Sequence, residues 1–147
     1  LGVTIFITSN PRCFYERLPA DRIWMCDTNM LPRDNWYAAV FHELMHFSEW
    51  RLNWSGNETE GELRACVGES IFEKLFRLDC TEDMLNQHKW IQRWQRCMAD
   101  DDEFVMNAVE SAVIAVMFLV DVTKKNAFSA RKRKFIDRSC VTGRDRM

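Results

Sequence analysis

Two histidines one helical turn apart, in Phe41-His42-Glu43-Leu44-Met45-His46, constrain this chain more than any other feature. Residues four apart stack on one face of an α-helix, so His42 and His46 can point the same way only if the stretch is helical. Trp36, Tyr37, Val40, Phe41, Leu44 and Phe47 recur at helical spacing without Gly or Pro, from a cap at Asp34 or Asn35 to about Trp50. Such a pair offers two imidazole nitrogens to one tetrahedral ion. Glu43, beside them, can hold and deprotonate a water on that ion. The expected site is a catalytic zinc with His42 and His46 as ligands and Glu43 as general base.

A catalytic zinc takes a third protein ligand and keeps one position open. His88 lies on an amphipathic stretch with Lys89, Trp90 and Trp94 and reads as a surface or packing histidine. The better candidates are Glu58, Glu60, Glu62 and Glu69 in the next helical segment. Glu62 is chosen because it sits one turn into that helix, ahead of the apolar positions Leu63, Val67 and Ile71. Glu58 and Glu60 fall at or before the cap, and Glu69 has Glu73 at i+4, the mark of an exposed face.

The rest of the chain supplies the frame. Val3 to Thr8 alternates β-branched and apolar residues and reads as a strand. Two short strands follow at Cys13 to Glu16 and Arg22 to Cys26, joined by a hairpin loop, Leu18-Pro19-Ala20-Asp21. After the histidine helix, Thr59 with Glu62 has capping-box spacing for a helix to about Leu78. Thr81 opens a third helix to about Met98, and Asp100-Asp101-Asp102 a fourth to about Val120. The expected fold is α+β, a small antiparallel sheet followed by about four helices. Its strand at Arg22 to Cys26 would be an edge to which an extended peptide could add.

Length fits one domain with a real core. The six cysteines lack framework spacing and read as reduced thiols, which points to the cytoplasm. The longest apolar run, Ala112 to Val120, is short of the ~20 residues of a membrane span, so no membrane partner is expected. The N-terminal residues have no basic region of the signal-peptide kind. The six tryptophans, Trp36, Trp50, Trp90 and Trp94 among them, read as core rather than as a binding face.

Charge divides the chain in two. Residues 1–123 hold 11 Lys/Arg against 20 Asp/Glu, a net of −9, whereas residues 124–147 hold 9 against 2, a net of +7. The expected organisation is a domain over 1–123 and a basic tail over 124–147, solvated and partly disordered or held against the acidic body. Lys124, Lys125, Arg131 to Lys134 and Arg138 could also neutralise nucleic-acid phosphates, though few aromatics accompany them for stacking.

Several motifs together resemble the ArdC-type antirestriction proteins, specifically their C-terminal zincin domain. Asp21-Arg22-Ile23-Trp24-Met25 is similar to that family's D-x-I-x-M strand. Phe41-His42-Glu43-Leu44-Met45-His46-Phe47 is similar to its F-H-E-L-x-H-W helix, and Arg51-Leu52 to its S-R-L loop. Glu62-Leu63 with Ala65 matches its E-E-L-V-A-E helix. His88-Lys89-Trp90-Ile91-Gln92-Arg93-Trp94 resembles its Y-I-x-x-W segment, so that the resemblance covers about residues 8–121. The H-E-x-x-H core is shared by many unrelated peptidases; the flanking pieces make the resemblance specific.

The resemblance implies a zincin-like metallopeptidase fold with zinc on His42, His46 and Glu62, and Glu43 as general base. It implies a phage- or plasmid-type antirestriction role in a bacterial cytoplasm, with a peptide or protein substrate such as a host defence protein. The alternative it leaves open is a non-catalytic host-takeover binding module with a structural zinc. Two residues depart from the pattern. Met45 stands where the family has Gly and would narrow the metal's surroundings. Cys66 stands where a family glutamate orients a ligand histidine, and a thiol orients poorly. The matched residues include none of the family's single-strand DNA-binding domain, so DNA binding is not carried over.

Overall fold

A computed structural model describes the backbone of residues 3–19, 21–81 and 84–141, and their side chains outside 84–89 and 125–141. Three strands come first, β1 (Thr4–Thr8), β2 (Phe14–Glu16) and β3 (Arg22–Cys26). Four helices follow, α1 (Arg33–Arg51), α2 (Glu58–Phe76), α3 (Met84–Asp100) and α4 (Phe104–Val141). The α+β class holds, but the sheet is mixed rather than antiparallel. Its order is β1-β3-β2, with β1 parallel to β3 and β2 antiparallel to it. The hairpin between β2 and β3 stands as expected, while β1 crosses over to the far side of β3. The strand expected at an edge is therefore the central one, paired with β1 along its length and with β2 at Arg22–Trp24, and is not an edge to which a peptide adds.

The sheet meets the helices through one face of β3. Ile23 and Met25 alternate inward, both 0% exposed, and pack on Val40 of α1. The larger core lies between α1, α2 and α4, built from Met45, Phe47, Ala65, Phe72, Val116 and Leu119 with small residues between. Ala108, Ala112 and Ala115 are fully buried along one stripe of α4, so this helix can approach α2 closely. Phe104–Lys124 within α4 is long and apolar enough to cross a membrane by length and composition. The shorter run counted from sequence missed this because Glu110 and Ser111 interrupt it; the buried stripe is the face turned to α2.

Helix boundaries shifted where a cap found a different partner. The α2 N-cap is Asn57, whose side chain accepts from the Glu60 backbone N–H at 3.1 Å, and Thr59 lies inside the helix. Asp34 and Asn35 lie inside α1, whose N-cap is Pro32 without a side-chain cap bond. Asp34 accepts from the Asp79 N–H at 2.8 Å, and Asn35 donates to the Thr81 carbonyl at 2.8 Å, so both tie α1 to the loop after α2. The acidic triplet closes α3 and the following turn instead of opening α4, where Asp101 accepts from the Glu103 N–H at 2.9 Å. Beyond Val120 no Gly or Pro interrupts the chain before Gly143, and α4 continues to Val141.

Of the tryptophans, Trp90 is buried, Trp36 donates to the Cys26 carbonyl at 2.9 Å, and Trp94 to the Thr59 carbonyl at 2.9 Å. Trp50 is 47% exposed, with Arg17 and Arg51 over its ring, and is not core.

Candidate metal centre

α1 and α2 form an antiparallel hairpin across the loop at 52–57, and the site lies on their facing sides. On α1 the face carries His42, His46 and Glu49; on α2 it carries Glu62, Cys66 and Glu69. Both sets stand at i, i+4 and i+7, the positions that one helix stripe shares. Because the helices run in opposite directions, His42 meets Glu69 at one end of the ladder and His46 meets Glu62 nearer the other.

The donor atoms are sorted by ring nitrogen. His42 Nε2 stands 3.5 Å from one oxygen of Glu62 and His46 Nε2 stands 3.6 Å from the other. The ligand atoms of His42, His46 and Glu62 all lie within 4.8 Å of one another. The opposite nitrogens are held from behind, His42 Nδ1 by Glu69 at 2.9 Å and His46 Nδ1 by Glu49 at 2.7 Å. Ligand histidines fixed by a carboxylate on the second nitrogen are the usual supporting arrangement of a metal site. Two donors about 2.1 Å from one ion at a tetrahedral angle stand about 3.4 Å apart, close to the spacing of Nε2 and Glu62 here. At those distances each ring faces one carboxylate oxygen in a long contact, with room for an ion between them. The donor set fits a divalent cation.

Electrostatics agrees with the geometry. Burial alone would lower the His42 pKa, but hydrogen bonds to Cys66, Glu62 and Glu69 outweigh it and hold the pKa well above the ordinary value. Those carboxylates favour positive charge at this point of the molecule. Glu43 is 7% exposed, and burial raises its carboxyl above the usual range, against the pull of His42 and His46 and with help from Glu62. Burial thus makes this carboxyl a better proton acceptor than a solvated glutamate, beside the two imidazoles.

Glu58 and Glu60, also considered from sequence, lie apart from this cluster. Glu58 is exposed and faces Arg93 at 3.8 Å, and Glu60 sits in the first turn of α2. His88 lies outside the described side chains, as do the basic residues from Lys125 onward. Tyr15 is committed elsewhere, its hydroxyl donating to Asp21 at 2.5 Å. Tyr37 is 41% exposed, with Arg33 over its ring.

Met45 does not narrow the site. Its side chain is fully buried and fills the space left by Gly68, where a Cβ would meet Met45 Sδ and Cε at 2.3 Å. Its bulk is spent in the α1–α2 contact. The orienting carboxylate that Cys66 fails to supply comes from Glu69, three residues further along the same face.

Glu49 and Arg64 were not legible as site residues. Arg64 is fully buried, donates to the Met45 carbonyl at 2.9 Å and to Ser48 Oγ at 2.7 Å, and lies 3.9 Å from the Glu49 carboxylate. It supplies the positive charge behind the carboxylate that holds His46. The i, i+3 spacing of His46 and Glu49 was the available signal.

No protein-family model matches the sequence, and no curated protein does. Among solved structures, two of the antirestriction protein ArdC from plasmid R388 are similar. The Mn(II)-bound form aligns with a TM-score of 0.66 at 24% identity, and the metal-free form with 0.70 at 25%. Each alignment covers 82% of this chain but only 47% and 46% of ArdC, so the chain spans about half the length of the protein it matches. By its fold this chain is similar to the ArdC antirestriction protein, the same resemblance that its motifs carry.

Proposed function

We propose that the chain is a zinc-dependent peptidase-type hydrolase of antirestriction kind, acting on a peptide or protein substrate in a bacterial cytoplasm. The observation that carries the reading is the convergence of two imidazole Nε2 atoms on the Glu62 carboxylate, at 3.5 and 3.6 Å, beside a buried Glu43. His42, His46 and Glu62 would hold the ion, and two histidines with one glutamate are a known donor set of catalytic zinc. That ArdC has a Mn(II)-bound structure supports a divalent ion here. When bound, the ion supplies Lewis acidity, polarising a carbonyl and making water acidic enough to ionise near neutral pH. Glu69 and Glu49 keep the two rings from rotating. Glu43 takes a proton from the attacking water on a carboxylate oxygen and passes it to the leaving amine.

A second reading, a host-takeover binding module whose ion is architectural, is favoured by the net charge of −9 over residues 1–123, which could engage a DNA-binding enzyme. Glu43→Gln separates the two, because it keeps shape and removes the base. Zinc content by elemental analysis should stay at about one per chain, while cleavage of a peptide library falls by about two to four orders of magnitude. If antirestriction activity in cells falls with cleavage, the protein works as a peptidase. Full antirestriction activity from Glu43→Gln would sink the peptidase reading and leave the binding module.

A further inference from the structure

His42 has a carboxylate on each side of its ring. Glu62 faces Nε2, and Glu69 takes Nδ1 at 2.9 Å. Cys66 stands between these two glutamates on the same face of α2, and the ligand atoms of His42, Cys66 and Glu69 all lie within 4.8 Å of one another. Cys66 is a free thiol that also lines an open groove of about 590 Å3 with Val67, Ser70, Ile71 and Lys74, so solutes can reach it. One imidazole nitrogen of α1 and one sulfur and one carboxylate oxygen of α2 are thus gathered beside the His42-His46-Glu62 set, sharing only His42 with it.

We propose that His42, Cys66 and Glu69 form a second cation site, selective for soft divalent ions such as zinc or cadmium, which shares His42 with the first through the opposite ring nitrogen. A thiolate prefers soft ions, whereas an imidazole–carboxylate set also accepts manganese. Binding releases the Cys66 proton to solvent, because the thiolate is the ligand, and with both sites filled it also releases the Nδ1 proton of His42, whose ring then bridges the two ions as an imidazolate. Loading the site draws Glu69 away from its hold on His42 Nδ1 and places two positive charges on one imidazole. The second ion therefore weakens the first, and by linkage the first weakens the second. Excess soft metal becomes an inhibitor of the primary site. That consequence rests on the function proposed above; the existence of the second site does not.

Cadmium titration tests it, with bound metal counted by equilibrium dialysis and thiolate ligation read from the ultraviolet cadmium–sulfur charge-transfer band. Wild type is compared with Cys66→Ser and with His46→Ala/Glu62→Gln. Cys66→Ser should lose about one cadmium equivalent and the matching part of the band, with the other thiols as internal background. The double variant should keep that Cys66-dependent step while losing the other cation. Manganese affinity should fall about tenfold on cadmium loading of wild type and stay unchanged in Cys66→Ser. Equal cadmium binding and equal bands in wild type and Cys66→Ser overturn the second site. Loss of the Cys66-dependent step in the double variant also overturns it, since a single mixed site would then exist. A double variant that binds as many cations as wild type instead removes the primary site and leaves the second standing.

Discussion

Glu49 shows how a side chain away from the ion governs it. Its carboxylate lies 2.7 Å from His46 Nδ1 and 3.9 Å from buried Arg64, which in turn rests over the Trp54 ring. Glu49 therefore fixes the rotation of His46 and its tautomer, with Nε2 left toward Glu62. Glu49→Gln should weaken cation affinity about 10- to 100-fold in a chelator competition while leaving the melting temperature nearly unchanged. Glu58→Gln, on an exposed side chain of the same helix pair, should leave affinity at the wild-type value. Equal affinities for the two variants would mean that Glu49 is only a surface partner of His46. The first ring of this site was readable from residues because two histidines and an acid at i, i+1 and i+4 have a chemistry of their own. The supporting roles of Glu49 and Glu69 were not, since a glutamate three residues from a histidine is usually solvated and Glu69 lies 27 residues from the histidine it holds. The arrival of α2 against α1 gives Glu69 its role and sets Arg64 behind Glu49.

At the scale of elements, the α1–α2 hairpin depends on a fit of one large residue into one missing one. Gly68 lies in mid-helix, where it costs about 1 kcal/mol relative to Ala. Met45 is why it stays glycine, with Cγ 2.8 Å from where a Cβ would stand. Met45 is fully buried among Phe47, Ala65 and Phe72 and has little room to move. Gly68→Ala should destabilise by about 1–2 kcal/mol net, the overpacking outweighing the gain in helix propensity. Chemical denaturation reads this directly. Adding Met45→Ala should cost less in the Gly68→Ala background than alone, because the two changes share one space. A stabilised Gly68→Ala would show that the helices separate freely. Spacing alone placed α1 and α2 to within a few residues. The caps moved because Asn57, Asp34 and Asn35 each met a partner that the local pattern does not contain.

For the molecule as a whole, the sheet is fastened to the helices by a polar latch as well as by Ile23 and Met25. Asp21, at φ 51 before β3, accepts from the Tyr15 hydroxyl and pairs with Arg51 in the last turn of α1. Burial raises the Asp21 pKa, but hydrogen bonds from Arg51 and Tyr15 more than offset this, so the pKa is lowered. A carboxyl whose folded pKa is depressed contributes stability that is present above its unfolded value, about 4, and lost as pH falls through the folded one. The melting temperature should therefore drop more steeply below about pH 4 in wild type than in Asp21→Asn. Asparagine tolerates the left-handed backbone at this position, so the comparison isolates charge. Parallel acid limbs in the two proteins would show that the latch adds nothing.

The sequence by itself determined the helix that carries His42, Glu43 and His46, the order of strands before helices, and the acidic stripe on α2 that supplies Glu62. These follow from periodicity and side-chain chemistry within one segment. Tertiary structure alone decided that β3 is central, that Met45 turns into the α1–α2 contact, and that each imidazole has one carboxylate behind it and another in front. A segment's own pattern states which of its faces is buried. Which face of another segment comes to meet it depends on chain crossing and packing across many residues, and no single stretch of sequence records that.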